Sequence, residues 1–226
     1  LPFLCKYWYI CGEMEKEMNR NPLLQFAGIP VTASEIKSCL THLASPEKKL
    51  LSMEDKGELL RLKRDLYIVN KDFCGKKTDA RLCANHIYGP SYISLQWALR
   101  YYGMIPERVF VMTSVTTKRS RFVKTPIGDF SYMRVTPEYF PVGVENMTEN
   151  GVSFLIAGRE KALCDTILCD NFVPDKSARA LESYLEDDMR LDLDILPTLD
   201  ENIVRECAEA GRKVSTLNNL IKIMRQ

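Results

Sequence analysis

At Gly57 the hydrophobic period of this chain changes from that of a helix to that of a strand, and the change restricts the N-terminal third to few small folds. Upstream, Thr32 or Ser34 offers a helix cap, and Ile36, Cys39, Leu40 and Leu43 recur at three- and four-residue spacing, one buried stripe. Ser45 then reads as the cap of a second helix opened by Pro46, because proline at the first helical position forfeits no needed hydrogen bond. Leu50, Leu51 and Met53 are expected to face inward. Downstream, Leu60 and Leu62 precede, and Leu66 and Ile68 follow, a Lys63-Arg64-Asp65 corner, which predicts a hairpin. Asp65 tolerates the left-handed backbone that such a corner demands. Two short helices followed by a two-stranded hairpin is the order of a winged helix-turn-helix.

Charge points to where this module would act. The 31 Lys and Arg nearly balance 30 Asp and Glu, so no global field draws in nucleic acid or an anionic membrane. Locally, Lys48 to Arg64 holds six basic residues against three acidic, a positive stripe over the second helix and the hairpin. The eight cysteines (5, 11, 39, 74, 83, 164, 169 and 207) form no Cys-x-x-Cys pair and read as free thiols. With no clear secretory signal and no apolar run of about 18 residues, a cytoplasmic location and no membrane partner are expected. A chain that begins LPFLCKYWYIC reads as a fragment or an over-extended start, with Met14 and Met18 as alternative starts, so residues 1–19 are set apart as an extension.

The polar stretch Asn70 to Asp79 reads as a linker. Beyond it a helix runs to about Tyr88 and breaks at Gly89-Pro90. Ser94 is expected to cap the next, whose Leu95, Ala98, Leu99 and Tyr102 form a stripe ended by Gly103. Strand texture follows in 109–117, 121–125, 130–136, near Val142 and in 152–157, with Asn150-Gly151 as a turn. Helices return near 159–170, 176–189, 199–210 and 215–225, the third with a capping box of Thr198 and Glu201. The fold class expected is α+β: a winged helix-turn-helix over residues 20–71, then a mixed α/β domain over residues 72–226 with a central antiparallel-rich sheet and C-terminal helices.

Enzymatic machinery is not declared. No Gly-x-Ser-x-Gly, no phosphate-cradling loop ending Gly-Lys-Ser/Thr and no Gly-x-Gly-x-x-Gly stands after a strand. His42 and His86 lack ligand partners at metal spacing and read as structural or exposed. Glu160 and Asp165 on one helix mimic half of a metal-dependent nuclease site and would need further carboxylates. No catalytic residue, cofactor or metal is therefore expected.

Two opposite charge patches mark the second domain. Arg108 to Arg134 carries six bases against Asp129, whereas Glu182 to Glu201 carries eight acids against Arg190. Such runs usually solvate a surface or dock on each other. They also suit separate partners.

The segment Tyr88-Gly-Pro-Ser-Tyr-Ile-Ser-Leu-Gln-Trp-Ala-Leu-Arg-Tyr-Tyr-Gly-Met-Ile-Pro-Glu107 closely resembles the hallmark of the AbiEi antitoxins of type IV toxin–antitoxin systems. Gly57-Glu-Leu-Leu-Arg-Leu-Lys-Arg-Asp-Leu-Tyr67, Thr113-Ser-Val-Thr-Thr-Lys-Arg119 and Ala157-Gly-Arg-Glu-Lys-Ala-Leu-Cys-Asp165 agree with it in order, so the likeness spans roughly residues 25–170. Asp65 stands where the family usually has Gly, and Gly158-Arg159-Glu160 where it usually has Ser-Pro-Glu. The resemblance implies a winged helix-turn-helix that binds its own promoter, a second domain that supplies antitoxicity in abortive infection of phage-attacked cells, and a neighbouring toxin of nucleotidyltransferase fold. On that basis Ser45, Lys48, Lys49 and Ser52 are expected toward the major groove and Arg61, Lys63 and Arg64 on phosphates. Lys118, Arg119, Arg121 and Lys124 form the expected antitoxicity surface, facing the toxin or its substrate. Ser91 or Ser94 is expected to accept amide protons at the helix entry. The alternatives are a protein-interaction module without DNA binding and a metal-dependent nuclease.

Overall fold

The computed structural model describes residues 22–174 and 177–226. The extension proposed for residues 1–19, with Met14, Met18, Cys5 and Cys11, lies outside the described residues. The chain divides into two compact units, residues up to Cys83 with Thr125–Ile127, and Ala84–Lys124 with Gly128–Gln226.

In the first unit a single 3-10 turn (Leu24–Phe26) precedes β1 (Val31–Thr32), α1 (Ala33–Ser38), α2 (Pro46–Asp55), β2 (Leu59–Lys63), β3 (Leu66–Val69) and α3 (Lys71–Cys74). The three strands form one sheet in the order β1-β3-β2, both pairings antiparallel. Thr32 begins α1 with a capping box: its hydroxyl accepts from the Glu35 amide at 3.3 Å, and its own amide donates to Glu35 Oε2 at 2.7 Å. Ser45 does not cap α2 through its side chain, a correction; the start rests on Pro46 alone. Leu50 and Met53 turn inward to Ile36, Leu40 and Tyr67. Leu51 is 55% exposed, against expectation, because one residue of helix rotates a side chain about 100° away from its neighbour's face. Gly57 (φ +71) ends the helix.

The hairpin forms with a shifted inner face. Leu59 and Leu62 are buried rather than Leu60 and Leu62, since a bulge between Arg61 and Lys63 adds a residue to β2 and breaks strict alternation. Asp65 adopts the expected left-handed backbone (φ 62°), and its carbonyl accepts from the Ala33 amide at 3.2 Å, tying corner to helix. Residues 70–79 are not plain linker. Asn70 caps α3 by accepting from the Asp72 amide at 3.1 Å, while its side-chain amide donates to the Gly57 carbonyl at 2.8 Å.

The second unit has an α+β architecture around a six-stranded sheet. Following α4 (Ala80–Ile87), within which the two units divide, come β4 (Ser91–Ile93), α5 (Leu95–Tyr101), β5 (Met112–Thr116), β6 (Arg121–Thr125), β7 (Gly128–Arg134), β8 (Val144–Glu149) and β9 (Val152–Ala157). The sheet order is β6-β7-β5-β4-β9-β8. It is mixed: β4 pairs antiparallel with β5 and β8 with β9, whereas β4 runs parallel to β9 and β5 to β7. The cause is β4. Its three buried residues are too few to show a period, yet they occupy the centre and bring distant strands alongside.

Helices α6 (Arg159–Cys169), α7 (Ala178–Ser183), α8 (Glu201–Ala210) and α9 (Val214–Met224) complete the unit, with a π-helical turn (Tyr184–Asp188) continuing α7 and a 3-10 turn (Leu193–Thr198) before α8. The expected capping box of α8 is absent. Thr198 ends the 3-10 turn and donates to the Ile195 carbonyl, so Asp200 takes over the cap and accepts from the Asn202 amide at 2.8 Å. Among the described residues no helix is long and apolar enough to cross a membrane.

The left-handed corner gives a direct test. Asp65→Gly and Asp65→Asn should keep or slightly raise stability to chemical denaturation, whereas Asp65→Val should cost about 1–2 kcal/mol, since a β-branched residue resists positive φ.

Candidate functional site

Three regions carry concentrated polar chemistry, and each is built differently. The first is α2 with the hairpin corner. Ser45, Lys48, Lys49 and Ser52 follow i, i+3, i+4, i+7 spacing, but they are unequally placed: Ser45 and Lys48 are exposed, whereas Lys49 and Ser52 are half-buried at the margin of the stripe that Leu50 and Met53 bury. No hydrogen bond or ion pair with a described residue engages either lysine head group. The corner is less uniform. Lys63 and Arg64 are exposed, and Arg64 meets only Asp65, at 3.5 Å with both side chains largely in solvent, a weak pair. Arg61 leans on the fold while its side chain stays 48% exposed: its guanidinium lies 3.8 Å from Glu54 Oε1 and 5.7 Å from the Tyr67 ring centroid. Its charge is only partly met there.

The second region surrounds Tyr88. Lys118 Nζ and the Arg121 guanidinium lie 5.5 and 5.6 Å from the Tyr88 ring centroid, and Lys118 also donates to the Gly89 carbonyl. Thr116 clamps the same turn by donating to the Pro90 carbonyl at 2.7 Å. Arg119 is exposed and pairs with no described carboxylate. Lys124 stands apart from this group. Successive strand residues alternate faces, so on β6 it shares a face with Phe122 and not with Arg121. The grouping of Lys118, Arg119, Arg121 and Lys124 on one surface is thus broken at its last member. Charge counting had no means of finding Tyr88, because an aromatic before a Gly-Pro turn has no distinctive signal.

The third region is buried around α6, where Glu160 through Ile167 are all shielded from solvent. A helix with no solvent face must satisfy every polar side chain internally. Lys161 and Asp165, both 0% exposed, pair at 3.4 Å. Lys161 Nζ donates to the Tyr139 carbonyl at 2.8 Å and sits 3.1 Å from the centroid of the Tyr139 ring. Ser94 Oγ donates to Asp165 Oδ2 at 2.5 Å. The hydroxyls of Tyr92 and Tyr139 favour the carboxylate's charge without forming a hydrogen bond of good geometry. Burial nevertheless dominates and raises the Asp165 pKa above the ordinary range, against the opposing pull of Lys161. Next along the helix, the neighbouring Cys207 thiol together with burial holds the Cys164 thiol well above its usual pKa. All six described cysteines are free.

This cluster redefines two expected roles. Ser94 does not cap α5 because its hydroxyl is committed to Asp165; Thr113 Oγ1 on β5 accepts from the Trp97 amide at 3.2 Å instead. Ser91 is also committed elsewhere, donating to the Ala84 carbonyl. Glu160 and Asp165 do not form half of a metal site. Glu160 Oε1 accepts from the Asp200 amide at 3.1 Å, while Asp165 is closed off by Lys161 and Ser94. Among the described residues no three His, Cys, Asp or Glu converge to hold a metal ion. His42 and His86 are exposed.

The acidic run from Glu182 to Glu201 is partly consumed inside the unit. Glu201 pairs with Arg205 and, at 2.6 Å, with Arg225, which holds its carboxyl below the usual range. Neither a protein-family model nor a curated protein matches the chain.

The buried pair predicts strong non-additivity. Lys161→Ala should lower unfolding free energy by about 3–5 kcal/mol, because it strands Asp165 without its cation. Lys161→Met combined with Asp165→Leu should cost clearly less than the sum of the single changes in a denaturation-based double-mutant cycle.

Proposed function

We propose that the chain is a cytoplasmic DNA-binding regulator and antitoxin of the AbiEi type, with a winged helix-turn-helix in its N-terminal unit. The observation that carries this reading is the element order β1-α1-α2-β2-β3 combined with the strand order β1-β3-β2. That arrangement sets α2 on a small sheet, with Ser45 and Lys48 exposed and Lys49 and Ser52 half-buried next to them. A helix of this kind fits the major groove, and the corner reaches flanking phosphates. Arg64 serves the phosphates directly. Arg61, half-exposed beside Glu54 and Tyr67, also stiffens the hairpin against α2.

Antitoxicity belongs to the second unit in this reading. Lys118 and Arg121 gathered on Tyr88, with Arg119 beside them, give a concentrated cationic surface facing a neighbouring nucleotidyltransferase-like toxin or its nucleic-acid substrate. No step calls on a catalytic group, cofactor or metal. The contacts of Arg61 with Glu54 and Tyr67 favour a second reading, an interaction module without DNA affinity, because they draw one of three corner charges toward the fold.

Fluorescence anisotropy with DNA from upstream of the gene separates the two. Lys48→Ala, Lys49→Ala and Arg64→Ala should each weaken binding to all sequences and reduce the slope of log affinity against log salt by about 0.9. Lost binding in Arg61→Ala should come with a lower melting temperature. An unchanged slope in the first three leaves only the interaction module. For antitoxicity, Arg119→Glu with Lys118→Glu should abolish rescue of cells expressing the partner toxin while promoter binding persists. Rescue that survives both reversals assigns the activity elsewhere.

A further inference from the structure

A cleft of about 320 Å³ opens in the second unit where the end of β7, the end of α6 and the turn between α8 and α9 meet. Three cations line it, Arg134, Arg212 and Lys213, and no carboxylate does. Lys213 is spent: its ammonium donates to the Ile167 carbonyl at 2.9 Å and to the Asp170 carbonyl, closing the C-terminal end of α6. The guanidinium groups of Arg134 and Arg212 meet no carboxylate among the described residues. Asp170, between the lining residues Cys169 and Asn171, is turned to other work, accepting from the Tyr184 hydroxyl and from the Phe172 amide.

The turn that presents Arg212 is held in one shape. A side chain at Gly211 would meet the Cys207 carbonyl at 2.6 Å and the Tyr139 ring at 2.9 Å, so only glycine fits. Lys213 adopts a left-handed backbone (φ 60°), costly for a lysine, and its two carbonyl contacts sustain it. Rigid placement of an uncompensated guanidinium is what a planar, bidentate anion site requires. The remaining walls set the size and nature of the guest. Met133 and Leu168 give an apolar flank, and Asn171 adds an amide at the rim. Cys169 also lines the cleft, and burial pushes its thiol up to about 12, so it stays protonated and adds no negative charge.

We propose that this cleft binds a small phosphate monoester of about mononucleotide size, with Arg134 and Arg212 gripping the phosphate and Met133 and Leu168 packing the organic group. A phosphate monoester carries about −1.5 to −2 at neutral pH, matching two unpaired guanidiniums, and the volume lies at the lower end of small-molecule sites. All the residues that line the cleft belong to the second unit.

Isothermal titration calorimetry on the full chain tests it with AMP, phenyl phosphate and inorganic phosphate. AMP and phenyl phosphate should bind saturably and more tightly than inorganic phosphate. Arg134→Gln and Arg212→Gln should each weaken AMP on the order of 10-fold or more, with unchanged melting temperatures because both side chains reach solvent. Arg119→Gln, a cation elsewhere on the unit, should bind AMP as the parent does. The proposal is overturned if neither monoester binds, if inorganic phosphate binds as well as both, or if Arg119→Gln loses affinity equally. A short 5′-phosphorylated oligonucleotide that binds where AMP and phenyl phosphate do not would also overturn it, assigning the arginines to a nucleic-acid end.

Discussion

The ion pair between Lys161 and Asp165 is the constraint on which the larger unit depends. Removing two charges from water costs several kcal/mol per ion, and attraction across 3.4 Å repays that only with further polar partners. The fold brings them from two directions to a pair presented by successive turns of α6: Ser94 from the junction of β4 and α5, and the Tyr139 carbonyl and ring from the chain after β7. Once these groups must converge, the central position of β4 and the depth of α6 are set together.

Backbone strain gathers at the same junction. Leu95 opens α5 with a left-handed backbone (φ 61°), unusual for a bulky residue. It persists because Ser94 is pinned on both main-chain sides: its amide donates to the Thr113 carbonyl at 3.0 Å, and its carbonyl accepts from Thr113 Oγ1 at 2.6 Å. Thr113 then turns to cap the helix that Ser94 cannot. One threonine thus does the work of a cap from a neighbouring strand, freeing the serine for the buried carboxylate.

Cations divide into those the fold consumes and those it leaves available. Lys161 and Lys213 are consumed by carbonyls and a carboxylate, and Arg225 is paired with Glu201. Lys48 and Lys49 on α2, Arg119 beyond β5, and Arg134 and Arg212 at the cleft are left facing solvent or a cavity. A near-neutral chain thereby acquires positive surfaces at separate places, each with its own geometry: a helix face, a ring-centred cluster and a cleft. Net charge conceals this division because the neutralising acids are spent inside or on other faces.

Local chemistry was legible in the sequence wherever it acts over a few residues. The Thr32 cap, Pro46 at a helix start, Gly57 at its end, the left-handed Asp65 and the Asn150-Gly151 turn all follow from side chains acting on their own backbone. The helix spacing that gathers Ser45, Lys48, Lys49 and Ser52 is likewise local, and so is most of the α+β element order. Features that depend on partners far along the chain were decided only by tertiary structure. The bulge in β2 exchanged Leu60 for Leu59 in the core, β4 was too short to carry a period, and the sheet became mixed through pairing with β9. Ser94 and Thr198 lost their capping roles to competing partners, and Asp165 changed from a candidate metal ligand to a buried counter-ion. Ser94 and Asp165 show the reason most directly: each had a local role within reach in sequence and a partner 71 residues away within reach in space, and burial joined them, whereas Thr198 turned to the Ile195 carbonyl of its own 3-10 turn.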